Sequence, residues 1–248
     1  MKIDKGDVPS ELIECDKKHR DDYLKTKTEH NFKNSCYAHK KVKEKLQKAY
    51  SEKCCYCNSD FGATSYINIE HYRPKSIYYW LGYEWDNLLH CCSICNTNKS
   101  NKFPVENEIE IDIDMNLDNE KPLILNPEKD NLLDFYEFNI DGEIFAKNSN
   151  KKAEKTIEIC KLERIGLLKA RKRVIDSILR AVGIVLEDIL KNISSKKEFK
   201  SNLKLKFIKL FTEELSLKNE YYLMFNYFLL NFDEVFEELY KKIIKKYL

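Results

Sequence analysis

Two Cys-x-x-Cys pairs, Cys54 with Cys57 and Cys92 with Cys95, frame the most reactive stretch of the chain. A short turn of this kind presents two thiolates to one ion, and two such turns complete a tetrahedral Zn²⁺ shell. Between the pairs stands Glu70-His71, a hard oxygen donor directly beside an imidazole. Asn87 follows in a loop after Trp85, and Asn96 comes immediately after the fourth cysteine. A purely structural zinc knuckle has no need of the last four residues. Their presence inside the same frame points to metal-assisted chemistry carried by a zinc-held scaffold.

The elements that would position these groups can be read from pattern. Tyr66 to Glu70 alternates and is β-prone, so a short strand should deliver Glu70 and His71 at its end. Asn96 should sit on a helix that runs to about Phe103, where Pro104 stops it. Zinc would then fix where Asn96 points. Cys55 and Cys91 adjoin the proposed ligands but have spacings that suit a knuckle less well. With Cys15, Cys36 and Cys160 they read as ordinary buried thiols. His90, beside the second pair, is a weaker surrogate ligand, and His19, His30 and His39 carry no motif.

The order Cys-x-x-Cys, acid-His, Asn, Cys-x-x-Cys-Asn-x-x-Lys resembles the HNH, or ββα-metal, nucleases. The matching positions are Cys54, Cys57, Glu70-His71, Asn87, Cys92, Cys95-Asn96 and Lys99. The resemblance implies that His71 is the general base, and that Glu70 and Asn96 hold one catalytic Mg²⁺ or Mn²⁺. It further implies that Asn87 holds the loop and orients His71 by hydrogen bonding. Glu70 stands where aspartate is common and Asn96 where histidine is common; both retain an oxygen donor, which suits hard cations. Arg73, Lys75, Lys99 and Lys102 flank this site and are candidate phosphate contacts. Tyr78, Tyr79, Trp80, Tyr83 and Trp85 could stack on bases, but their fuller use is as module core.

Further positions extend the resemblance to a subfamily, the PtuB-like nucleases of Septu and related retron anti-phage systems. They are Ile69 to Lys75, Pro122 to Pro127, Phe138 to Gly142 with Ile144, Ala153-x-x-Thr156-Ile157, Leu162-x-Arg164 and Leu168-x-x-Arg171. That resemblance implies a defence effector cutting nucleic acid, DNA first, with a PtuA-type ATPase subunit as partner. The chain has six glycines and no phosphate-cradling loop motif, which agrees with an ATPase supplied by another protein. An RNase acting on tRNA and a non-catalytic zinc-containing nucleic-acid-binding adaptor are the competing readings.

The bulk numbers set the frame. The 248 residues carry a net charge of +2, so a nucleic-acid surface must be local rather than global. No apolar leader opens the sequence and no stretch is long enough to span a bilayer, which needs about 20 apolar residues. A cytoplasmic protein with no membrane association is expected, its cysteines serving as ligands and thiols rather than disulfides. The expected fold class is α+β, mainly α. An N-terminal helical segment at 1–50 precedes a zinc-stapled ββα-metal module at 51–105 and a mostly helical region at 106–248. The first segment should end in a helix from about Cys36 to Ser51. Asp141-Gly142 marks a hairpin, and Val174, Ile178, Val182, Val185 and Ile189 share one face of a long helix. Asn231 and Glu234 suggest a capping box for the last helix. The apolar stretch Tyr221–Phe232 exceeds what the nuclease module needs, so the partner surface is expected on the C-terminal helices.

Overall fold

A computed structural model describes residues 3–28, 32–60, 68–109, 113–114, 116–191, 196–214 and 219–247. Helices α1 (Ser10–Thr26), α2 (Asn34–Tyr37) and α3 (Lys40–Ala49) lead into strand β1 (Asn68–His71). Strand β2 (Leu88–Cys91) pairs antiparallel with β1, placing Glu70 opposite Leu89 and His71 opposite Leu88. Helix α4 (Ser93–Lys99) follows at once and packs on β1. The expected strand is described from Asn68 onward; Tyr66 and Ile67 lie outside the described residues, as does His30.

The expected helix over 36–51 is split. Ala38 closes α2, and the His39 side chain caps α3 by accepting from the Lys41 amide at 3.3 Å. A capping side chain at an extended residue ends one helix and starts the next, which apolar spacing alone does not reveal. Helix α4 is also shorter than expected, because Ser100 takes a left-handed φ of 48° and stops it before Phe103.

Beyond the module, β3 (Tyr136–Phe138) and β4 (Ile144–Ala146) form the hairpin signalled by Asp141-Gly142. Gly142 sits at φ +85°, where a Cβ would also press on Arg171 at 3.0 Å, so glycine is required there. Helix α5 (Lys151–Cys160) buries Thr156, whose hydroxyl accepts from the Leu125 amide at 2.9 Å and donates to Lys152 O. Arg171, on α6 (Ile165–Lys191), donates to the Leu162 carbonyl at 3.0 Å. These contacts give the Thr156, Leu162 and Arg171 motif positions structural work. Ile178 and Val182 of the expected α6 face are buried; the side chains of Val185 and Ile189 lie outside the described residues.

Helices α7 (Lys196–Glu214), α8 (Tyr222–Leu230) and α9 (Phe232–Tyr247) close the fold. Phe211 of α7 meets Phe225 and Phe228 of α8 at ring separations of 5.6 and 5.7 Å. The Tyr221–Phe232 stretch is therefore largely core: Met224, Phe225 and Phe228 are fully buried. Most of the stretch is thus used by the fold itself, while Leu230 stays exposed. Helix α9 starts right after Asn231, as expected: the Asn231 carbonyl accepts from the Val235 amide at 3.2 Å, while the Asn231 side-chain amide donates back to the Tyr227 carbonyl at 2.9 Å. Among the described residues no helix is long and apolar enough to cross a membrane.

Cys15 and Cys36 are joined by a disulfide between α1 and α2, with Cα atoms 5.6 Å apart. Buried free thiols were expected at both positions. Their pairing is a tertiary event between helices and leaves no local spacing signature. Closing 21 residues removes loop entropy from the unfolded chain worth about 3 kcal/mol. Reduction, or Cys15→Ser, should lower unfolding free energy by that order in a denaturant titration; an unchanged midpoint would show that α1 and α2 hold together without it.

Candidate metal centre and adjoining cleft

The four sulfurs of Cys54, Cys57, Cys92 and Cys95 lie within 4.8 Å of one another, all buried. A tetrahedral ion with bonds of about 2.3 Å has sulfur–sulfur edges of about 3.8 Å. Cys57 Sγ and Cys92 Sγ are 3.9 Å apart, so the donor set fits Zn²⁺ closely. Hydrogen bonding from Cys54 helps hold the Cys57 thiol down to about 7. Arg164 Nη1 reaches Cys95 Sγ at 3.6 Å and offsets thiolate charge. It was part of the Leu162-x-Arg164 pattern, with no role attached. His90 lies outside this set: its ring stacks on Tyr50 at 6.0 Å, and burial lowers its pKa to about 4.

Strand β1 and helix α4 bring Glu70, His71 and Asn96 to one open cleft of about 550 Å³. Its far side comes from α2 and α3, through Asn34, Tyr37, Ala38 and Lys43, residues with no motif signal. His71 Nε2 lies 3.0 Å from the Gly82 carbonyl. A carbonyl can only accept, so Nε2 carries the proton and Nδ1 the lone pair. Tyr37 meets the same ring edge-on at 4.8 Å. Burial, then the nearby Lys75 and Lys99 charges, push the His71 pKa down to about 3, although the Gly82 bond works the other way. The imidazole is neutral at pH 7. Asn96 makes no side-chain hydrogen bond among the described residues, leaving its amide oxygen available.

Asn87 does not bond to His71, contrary to expectation. Its Oδ1 accepts from the Arg73 amide at 2.8 Å, while Nδ2 donates to the Arg73 and Leu81 carbonyls. It therefore ties the 73–82 loop together, and Gly82 at the loop's end is what orients the histidine. A Cβ on Gly82 would fall 1.9 to 2.6 Å from the Phe32 ring. Gly82→Ala should cost about 1–3 kcal/mol through overpacking and shift the His71 ring signals in NMR. Unmoved imidazole signals would show that the carbonyl does not orient the ring.

Two of the four candidate phosphate contacts are turned inward. Lys99 is 0% exposed, and its Nζ lies 2.5 Å from Glu70 Oε1 and 3.0 Å from the His71 carbonyl. Arg73 pairs with buried Glu120, lies over the Tyr78 and Phe103 rings and donates to the Leu117 carbonyl. A buried carboxylate needs an opposite charge close by, and both cations meet that need. Lys75 does line the cleft, with its Nζ 5.9 Å from the Tyr37 ring. Lys102 is exposed at the end of α4. The five aromatics from Tyr78 to Trp85 are all buried and pack the module. Burial raises the Glu70 pKa to about 7 against the opposing pull of Lys99.

No family model matches the chain. Three curated proteins are similar to it. Septu protein PtuB of Bacillus mycoides (strain KBAB4) is 37% identical over 170 residues, covering 62% of this chain and 58% of that protein. Septu protein PtuB of Bacillus thuringiensis is 33% identical over 104 residues, 40% of this chain and 38% of that one. Septu protein PtuA of the same Bacillus mycoides strain is 31% identical over 147 residues, 53% of this chain but 20% of that much longer protein. The chain thus spans less than two thirds of the length of each relative. Over the matched stretches it is similar to proteins of the Septu system, and to PtuB over the greatest part of its length.

Proposed function

We propose that the chain is a metal-dependent endonuclease of the HNH, ββα-metal type, acting on DNA as an effector in anti-phage defence with a PtuA-type ATPase subunit. The observation that carries this reading is the cleft in which Glu70, His71 and Asn96 meet, with the lone pair of His71 assigned to Nδ1. Glu70 and Asn96 offer the oxygen donors that Mg²⁺ or Mn²⁺ prefers. When bound, such an ion would stabilise negative charge developing on a phosphodiester. His71 would take the proton from an attacking water. Its low basicity is eased by substrate, because an anionic phosphate alongside raises an imidazole pKa. Lys75 and Lys102 are the remaining candidates to meet the nucleic-acid backbone.

The similarity to Septu proteins supports the defence setting. A stretch like this chain also occurs inside a Septu PtuA, which supports these two kinds of sequence working in one system. The test is cleavage of plasmid DNA and of tRNA with Mg²⁺ or Mn²⁺, with and without the ATPase subunit. Plasmid cutting is expected, strongest with the subunit present. Preference for tRNA would move the reading to an RNase of the same fold. Binding without cutting of either substrate would leave a zinc-containing adaptor and end the nuclease reading.

A further inference from the structure

Cys55 and Cys91 are not scattered core thiols. Cys54, Cys55 and Cys91 form a second set of buried sulfurs within 4.8 Å of one another, and Cys54 belongs to both sets. Cys54 Sγ and Cys91 Sγ are 3.8 Å apart, the edge length of a sulfur tetrahedron around zinc. All six cysteines are buried and none is in a disulfide. The frame comes from two local features. Cys55 donates its amide to the His90 carbonyl at 2.9 Å, which holds the first knuckle against the end of β2. Cys91 and Cys92 are consecutive, so one chain reversal hands a sulfur to each side.

We propose that this cluster takes two soft d¹⁰ ions such as Zn²⁺, the second bound by Cys55 and Cys91 with Cys54 as the bridging sulfur. A thiolate has lone pairs for two metals, so sharing is chemically ordinary. Filling the second position replaces the protons of Cys55 and Cys91 with one dication and releases both protons to solvent; no electron moves. The formal charge of the cluster is two negatives with one ion and four thiolates, and the same with two ions and six. Arg164, which already faces the first set, therefore meets no added charge. The second position is independent of what the neighbouring cleft cuts.

The test is metal stoichiometry on the purified full chain, loaded with Zn²⁺ alone and in parallel with ¹¹³Cd²⁺ alone. Two ions per chain are expected by mass spectrometry of the folded protein. The cadmium form should give two NMR signals in the sulfur-ligated range, split by one another through the shared Cys54 sulfur. The double variant Cys55→Ser, Cys91→Ser should hold one ion, give one unsplit signal and keep its helical circular dichroism. One ion per chain in the wild type would overturn the second position while leaving the four-cysteine centre intact. No bound ion would remove both. A Cys55–Cys91 disulfide in peptide mapping of the unmodified protein would also overturn it, and the wild-type count decides even if the variant does not fold.

Discussion

Stripping metal from the cysteine cluster should unfold the centre of the molecule, with loss of cooperative thermal unfolding rather than a small shift in midpoint. Structural zinc sites contribute about 10–16 kcal/mol of apparent binding free energy, and an entire domain is stable by only about 5–15 kcal/mol. The knuckle at 54–57 has little else to hold it. It is anchored by the Cys54 amide on the Ser59 carbonyl, by the Cys55 amide on His90 and by the Asn58 amide on the Cys54 carbonyl. Asn58 in turn receives the start of α8, through the Tyr221 amide at 3.0 Å on its carbonyl. Release of the knuckle therefore frees the C-terminal helices from the module as well. Chelator titration followed by circular dichroism and by amide exchange at α8 would check this. A metal-free protein with an unchanged midpoint and protected α8 amides would show that packing alone suffices. Cys92→Ala should behave like partial stripping, since three thiolates remain and one helix cap is lost: Cys92 Sγ accepts from the Cys95 amide at 3.4 Å.

What could be read in advance divides along a physical line. Features set by a few adjacent residues were legible: the paired cysteines, the strand ending on Glu70-His71, the Asp141-Gly142 hairpin. Features set by packing between distant stretches were not. Lys99 looks like a surface lysine in its motif, yet it is bonded to a carbonyl 28 residues away and to Glu70. Arg73 turns inward because Glu120, which carries no motif, is buried opposite it. Tyr37 and Asn34 reach the cleft from α2, which the Cys15–Cys36 disulfide ties to α1 and which ends at Ala38. The aromatic run at 221–232 has the composition of a docking face. Only the positions of Phe207, Phe211 and Phe236 show that the protein covers it itself.

On the nuclease reading proposed above, His71→Ala should lower turnover by about 10²–10⁴-fold, the range for loss of a positioned general base. Its pH behaviour separates the base from its neighbour. His71 has a folded pKa of about 3 against 6.5 unfolded, so its contribution to stability is lost as pH falls from 6.5 towards 3. Glu70 has a folded pKa of about 7 against 4.5, so its burial costs stability as pH rises from 4.5 towards 7. Between 4.5 and 6.5 the unfolded chain gains the imidazole proton and gives up the carboxyl proton. The two effects cancel there, and this pair produces no net slope. Activity should follow a different rule. The imidazole is neutral across the whole neutral range, whereas Glu70 must be ionised to hold a hard cation. At subsaturating Mg²⁺ the rate should therefore climb through about pH 7 and level off above it. That acid limb belongs to Glu70, so the residual activity of His71→Ala should keep it. A wild-type limb near 6.5 that vanishes in His71→Ala would instead make the imidazole the titrating group and return His71 to an ordinary exposed base.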